Sequence, residues 1–223
     1  MEKEYRDLNV ITLGESGVGK TSIINRLKDD SFNENESSTD AMKSFTIQKQ
    51  FKKLNLTINL NFRDTAGQEK KIDSLPKQYI RDSHIVLLVF SNIETLNVIK
   101  ERWYKHYKEN TNIDNARFIL VGNKSDIFGE MREEIVKQGE KFSEEIDALF
   151  VTCSAKIKDN LDNVERYITT EAKRYIENEE KKTEKEQKKL EQEINSCKSF
   201  KIKDNKKKKQ KKETKEKHCC GGD

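Results

Sequence analysis

Apolar residues along this chain fall into short blocks up to residue 176 and then almost cease. Residues 8–13 (LNVITL) form a compact run with β-branched members, which predicts a buried strand. A glycine-rich turn follows, and then 22–27 (SIINRL), which has helical character. Residues 31–44 are polar and aperiodic, hence a loop. Residues 45–51 and 56–62 predict a strand pair, with Leu56, Ile58, Leu60 and Phe62 alternating onto one face. Residues 85–90 (IVLLVF) are apolar throughout, as in a parallel strand covered on both sides. Leu96, Ile99, Trp103 and Tyr107 recur at helical spacing. Residues 118–121 and 149–151 predict further strands, with Phe142 and Ile146 marking a helix between them. Leu161, Val164, Ile168, Ala172 and Tyr175 give a last amphipathic helix.

Strands alternating with helices predict an α/β fold with a mostly parallel sheet and helices on both faces. In such sheets ligands bind beyond the carboxyl ends of the strands. Chemistry is therefore expected just after each strand. Residues 1–176 are read as one domain and 177–223 as a charged tail. Glu and Lys alternate to about residue 193, so the last helix is expected to run on as a solvated rod, with disorder beyond it.

Composition sharpens this division. Of 223 residues, 38% are charged and only 33% hydrophobic, so only the first domain can build a core. No run of about 18 apolar residues exists to span a membrane, and the first residues lack the apolar stretch of a secretory leader. Net charge is +4, but residues 201–218 hold ten lysines against Asp204, Glu213 and Glu216, a local +7. The remainder is mildly acidic. Such a tail suits an anionic surface. Cys153, Cys197, Cys219 and Cys220 do not form a disulfide framework, which fits a reducing cytosol. His84, His106 and His218 are scattered, and Trp103 and Cys153 read as core.

Gly14-Glu15-Ser16-Gly17-Val18-Gly19-Lys20-Thr21 is G-x-x-x-x-G-K-[ST], placed directly between a strand and a helix as that motif requires. Its backbone N–H groups and the helix N-terminus can cradle phosphates. Gly14, Ser16, Gly17, Val18, Gly19, Lys20, Thr21 and Ser22 are the candidate cradle. Lys20 would reach the β- and γ-phosphates, and the Thr21 hydroxyl would ligate Mg²⁺. Asn123-Lys124-Ser125-Asp126 follows the strand ILVG. An Asp carboxylate can accept from N1–H and the 2-amino group of guanine, a donor pair that adenine lacks. Asp64-Thr65-Ala66-Gly67-Gln68 follows the alternating strand. Asp64 would support Mg²⁺, Gly67 could offer its N–H to a γ-phosphate, and Gln68 could orient the attacking water.

GESGVGKT, DTAGQE, NKSD and Ser154-Ala155-Lys156 occur in the order found in the small GTPases of the Ras superfamily, and the sequence resembles the Rab branch most. The resemblance covers about residues 5–176. It implies a small G domain of the P-loop NTPase class, with a six-stranded sheet, five helices and Mg²⁺–GTP binding. It also implies a switch that hydrolyses GTP slowly to GDP. It further implies that Thr39, nineteen residues after Lys20, closes on Mg²⁺ and the γ-phosphate. Phe32 would lie against the guanine, and Ser154, Ala155 and Lys156 would contact its oxygen through backbone N–H. Thr21, Thr39 and Asp64 are then the metal set and Gln68 the catalytic residue. The motifs place no arginine to complete charge stabilisation, so an activating protein would supply one.

Departures from the Rab pattern fall on the partner-reading parts. The loop after Thr39 reads Asp40-Ala41-Met42-Lys43, and Arg63 replaces a Trp that Rabs use with a Phe and a Tyr to read effectors. Phe45 and Tyr79 match the other two. The ending His218-Cys219-Cys220-Gly221-Gly222-Asp223 is a poor C-a-a-X box but resembles the Rab double-geranylgeranylation signal at Cys219 and Cys220. One lipid holds a membrane only marginally; two lipids plus a basic tail hold it stably. The implied partners are effectors, exchange factors, GTPase-activating proteins and lipid chaperones, with the protein monomeric and no nucleic acid bound. The implied location is the cytoplasmic face of an intracellular membrane in vesicle trafficking, with a soluble cytosolic pool. The alternatives are a GTP-bound scaffold with little turnover and a Ras- or Rho-type signalling GTPase.

Overall fold

A computed structural model describes residues 4–34, 43–51, 56–64, 77–111 and 116–218, apart from the side chains of residues 43 and 193–218. Six strands form one sheet: β1 (Glu4–Leu13), β2 (Lys43–Phe51), β3 (Leu56–Asp64), β4 (Ile85–Phe90), β5 (Arg117–Gly122) and β6 (Leu149–Thr152). Their order is β2-β3-β1-β4-β5-β6. Only the β2–β3 pair is antiparallel; the other pairings are parallel. Parallel neighbours need crossovers, and these supply the helices. They are α1 (Lys20–Asp29), α2 (Lys77–Arg81), α3 (Ile93–Val98), α4 (Lys105–Asn110), α5 (Arg132–Glu145) and α6 (Leu161–His218). A π-helical turn, Ile99–Tyr104, joins α3 to α4 into one rod.

The core forms because β4 and β5 bury side chains on both faces. On one face Ile11, Leu13, Val86, Leu88, Phe90, Phe118 and Leu120 meet Ile80 of α2, the rod's Leu96, Ile99, Trp103 and Tyr107, and Ile135 and Phe142 of α5. The intervening buried positions Val10, Leu87, Val89, Ile119 and Val121 turn to the other face. Buried Ile23 of α1 and Val164, Ile168 and Ala172 of α6 belong to that layer. Four aromatic edge contacts at 4.9–5.8 Å, among them Tyr104 and Tyr107 against Phe118, tighten these packings.

The expected elements are present, most with longer bounds. β1 begins four residues before the apolar run, at exposed Glu4, because its backbone pairs with β3 from Leu56 onward. Asp64 ends β3 rather than following it. The helix predicted from Leu96 to Tyr107 contains a π-helical turn that its apolar spacing does not reveal.

The chain divides into two compact units, Met1–Tyr175 and Ile176–Asp223. The second is helical through His218, which corrects the expectation of disorder beyond residue 193. Lys, Glu and Gln dominate there; all are good helix formers, and pairs such as Glu179–Lys182 (2.9 Å) add support. No helix among the described residues is long and apolar enough to cross a membrane.

Candidate functional site

Three turns and the last residue of β3 converge at the carboxyl edge of the sheet. The first joins Leu13 to Lys20. Gly14 has φ +150°, and a Cβ there would lie 2.2 Å from the Val89 carbonyl oxygen of β4. Gly19 has φ +91°, and its Cβ would meet Asn123 Nδ2 at 2.2 Å. Neither position admits a side chain, so the turn seats on β4 and on the loop after β5. Gly19 opens α1 without any side-chain cap, which leaves the first helical N–H groups for an anion. Val18 is buried beneath the turn, Ser16 and Gly17 are exposed on it, and Ser22 lies on the first helical turn. Lys20, only 4% exposed, donates from Nζ to the carbonyls of Gly14 and Glu15, both at 2.9 Å.

Thr21 donates its hydroxyl to Asp64 Oδ2 at 2.8 Å. A helix start and a strand end 43 residues apart thus place two hard oxygens side by side. That donor set fits Mg²⁺, which keeps several waters and takes one or two protein oxygens plus substrate phosphates. Among the described residues no larger His, Cys, Asp or Glu cluster could hold a metal. Thr39, Gly67 and Gln68 lie outside the described residues.

The base side is organised by Asn123. Its Nδ2 donates to the Val18 carbonyl at 2.8 Å, and its Oδ1 accepts from the Ala155 N–H at 3.1 Å. One amide therefore ties the phosphate turn to the turn after β6. Lys124 follows with φ +64°, which re-aims the chain toward Asp126. The Asp126 carboxylate accepts from Ser154 Oγ at 2.5 Å, so its other oxygen is oriented rather than free to rotate. Ser125 N–H to the Cys153 carbonyl (3.0 Å) and Cys153 N–H to the Gly122 carbonyl (2.9 Å) clamp the two turns together. Cys153 is wholly buried, and burial pushes its thiol up to about 12, so it is an inert core group, as expected.

Phe32 reaches the same corner. The Arg26 guanidinium lies 5.4 Å from its ring centroid, and Arg26 donates to the carbonyls of Ala155 (2.8 Å) and Lys156 (3.2 Å). Lys156 pairs with Glu34 at 2.5 Å and Lys158 with Asp30 at 2.6 Å. Glu34 raises the Lys156 ammonium above its ordinary range, and Lys158 holds the Asp30 carboxyl below its own. All four groups are exposed, so each pair contributes little stability by itself. Arg26 and Asp30 also pair with each other at i, i+4 (3.2 Å), but their contacts with Ala155, Lys156 and Lys158, and that of Glu34 with Lys156, join residues more than a hundred apart and leave no sequence signal.

The family model that matches this chain is that of the Ras family, over residues 9–174. The chain belongs to the Ras family. Ras-related protein SEC4 of Saccharomyces cerevisiae is 34% identical over 161 residues, 70% of this chain and 71% of that protein. Ras-related protein Rab-11B of Dictyostelium discoideum is 34% identical over 158 residues, 69% and 68% of the two chains. Ras-related protein RabC of the same organism is 32% identical over 157 residues, 70% and 78%. These relatives place it near the Rab branch, and as a member of the family it is a GTPase that converts GTP to GDP.

In this Ras-family protein the partner-reading trio is not assembled as expected. Directly paired residues share a sheet face. The β2–β3 register pairs Ser44, not Phe45, with Arg63. Phe45 pairs with Phe62 and stacks on its ring at 5.0 Å, on the opposite face. Arg63 lies over the Tyr79 ring at 4.8 Å, a cation on an aromatic face at the position where the resemblance puts a Trp. Two of the trio's three members thus remain together, and one of them is charged.

Proposed function

We propose that this GTPase is a Rab-type switch. It works on the cytoplasmic face of an intracellular membrane, recruits effectors while GTP is bound, and serves vesicle traffic. Lipids on Cys219 and Cys220 and the lysines of residues 201–217 would hold it there. The observation that carries the reading is Asn123, which locks the phosphate turn to the guanine-side turn in a site open to Mg²⁺. A guanosine di- or triphosphate is the ligand whose two ends fit those turns.

Lys20 neutralises charge on the β- and γ-phosphates, and the first N–H groups of α1 hold their oxygens. Thr21 and Thr39 are the direct metal ligands, with Asp64 supporting through water. A Mg²⁺ ion held by these residues would supply Lewis-acid stabilisation of the charge that develops as the β–γ bond breaks. Gln68 orients a water in line with that bond. The water oxygen bonds phosphorus, GDP leaves, and the displaced proton passes to phosphate. Gly67 and Thr39 contact the γ-phosphate, so its loss as free phosphate releases both loops. Exchange factors then replace GDP, an activating protein supplies an arginine worth on the order of 10³–10⁵ in rate, and lipid chaperones carry the soluble pool. The chain acts as a monomer.

Partners read the surface that carries Arg63 and Tyr79. With Ser44 beside Arg63, that surface is more polar than an aromatic trio, so the set of effectors differs from those of aromatic-faced relatives.

A fluorescent fusion of the full chain, imaged beside a Cys219→Ser/Cys220→Ser variant, tests the anchor. Membrane label lost in the double variant, with guanine-nucleotide binding unchanged, is the expected result. Membrane label that survives the substitution overturns the lipid reading.

A further inference from the structure

The position Glu15 is variable in G-x-x-x-x-G-K, and the motif asks nothing of its side chain. Here the side chain is tethered. Glu15 Oε1 accepts from the Trp103 indole Nε1 at 3.1 Å, and Arg102 Nη1 lies 3.4 Å from the same oxygen. Both donors come from the π-helical turn between α3 and α4. Successive residues of an α-helix point about 100° apart. The wider π turn, which bonds i to i+5, brings two neighbours onto one acceptor. Such turns are found disproportionately at functional sites.

The same residue's main chain holds the phosphate-binding lysine. Lys20 Nζ donates to the Glu15 and Gly14 carbonyls. Fixing the Glu15 side chain fixes its peptide, and the peptide presets the lysine. Trp103 is 1% exposed, so its indole N–H has no water to turn to, and the carboxylate is its charged acceptor. Glu15 and Arg102 side chains are 29% and 38% exposed, so their ion pair is screened, and the indole bond is the main tether.

We infer that Trp103, and secondarily Arg102, are positioning residues for nucleotide binding, acting from the π-helical turn through Glu15 to hold Lys20 in place. Both lie on the π-helical turn and not on the turns that carry the nucleotide motifs. The inference needs only the nucleotide site and is independent of the tail and the membrane. Because Trp103 is the sole tryptophan of the chain, its emission reports on this one contact.

The test is GDP release from the full-length protein, followed with a fluorescent GDP analogue chased by excess GTP, beside a thermal melt. Trp103→Phe keeps an aromatic ring and deletes the donor; Glu15→Ala deletes the acceptor. Each is expected to speed release about tenfold, the equivalent of ~1.4 kcal/mol, one charge-assisted hydrogen bond. The double variant should release no faster than either single, since both remove one interaction. Glu15→Gln retains an oxygen for the indole and should stay within about threefold of wild type. Arg102→Gln should have a smaller effect that vanishes in high salt. Wild-type release in Glu15→Ala overturns the inference, even if Trp103→Phe fails to fold. So does a lowered melting temperature with unchanged release, or a double variant whose effects multiply. Glu15→Gln releasing as fast as Glu15→Ala overturns the indole tether.

Discussion

Removing the Asn123 amide tests whether one side chain joins the two halves of the site. Asn123→Ala leaves the Val18 carbonyl and the Ala155 N–H without their partner. Both residues are buried, as is Asn123 at 1% exposure. A buried polar group left unmade costs about 1–3 kcal/mol. Both orphans sit on turns that can shift toward water, so the low half of that range applies, about 2–4 kcal/mol for the two. Since each turn is a wall of the nucleotide site, the cost falls on affinity: GDP should bind about 30- to 700-fold more weakly by titration calorimetry. Asn123→Asp separates the two bonds. It keeps an acceptor for Ala155 but aims a carboxylate oxygen at the Val18 carbonyl, so it should bind GDP at least as poorly as Asn123→Ala. If Asn123→Asp binds GDP within threefold of wild type, the Val18 bond holds nothing and the reasoning is refuted.

Gly14→Ala forces a Cβ to 2.2 Å from a backbone oxygen of β4, a contact that no rotamer relieves. Phosphate binding should fall by at least tenfold, with a lowered melting temperature; a normal Kd for GDP would show that the turn can sit elsewhere. Gln68→Leu should slow single-turnover GTP hydrolysis and leave GTP affinity unchanged; equal rates would remove Gln68 from the mechanism. Cys153 ionises near 12 when folded, against about 8.5 for an ordinary thiol, so the unfolded chain loses that proton first. The Cys153 contribution to stability should be constant below about pH 8.5 and be lost as pH rises toward 12, so the alkaline slope should be smaller in Cys153→Ala melts. Alkylation at pH 8, mapped by mass spectrometry, should spare Cys153 in the native protein and reach it in denaturant.

The core strands were legible because burial on both faces of β4 and β5 leaves unbroken apolar runs, and the phosphate turn because two glycines are sterically compelled. Other features leave no such mark. The first residues of β1 are mostly polar and join the sheet by pairing with β3, with Asn59 Nδ2 donating to Asp7 Oδ1 at 2.8 Å. The π-helical turn is invisible because Ile99, Trp103 and Tyr107 keep α-helical spacing. Whether Phe45 or Ser44 stands beside Arg63 depends on register, and a one-residue difference reverses every side chain of a strand. The helix beyond residue 193 has no apolar periodicity to mark it and rests on the helix propensity of Lys, Glu and Gln. The contacts of Arg26 with Ala155, of Glu34 with Lys156 and of Asp30 with Lys158 cross long sequence gaps that no local pattern encodes.

The strand order has a bearing on synthesis. β1, first to leave the ribosome, is an inner strand whose two neighbours, β3 and β4, are made later. The nascent phosphate turn therefore has neither the Val89 carbonyl to rest on nor the Asn123 amide to close against until β4 and β5 have emerged. Ser154–Ala155 comes later still, after β6. Cellular nucleotide thus has no finished pocket to grip until nearly the whole first unit has left the exit tunnel. Once it binds, at a thousandfold excess over Kd, it adds about 4 kcal/mol to a sheet that had to assemble without it.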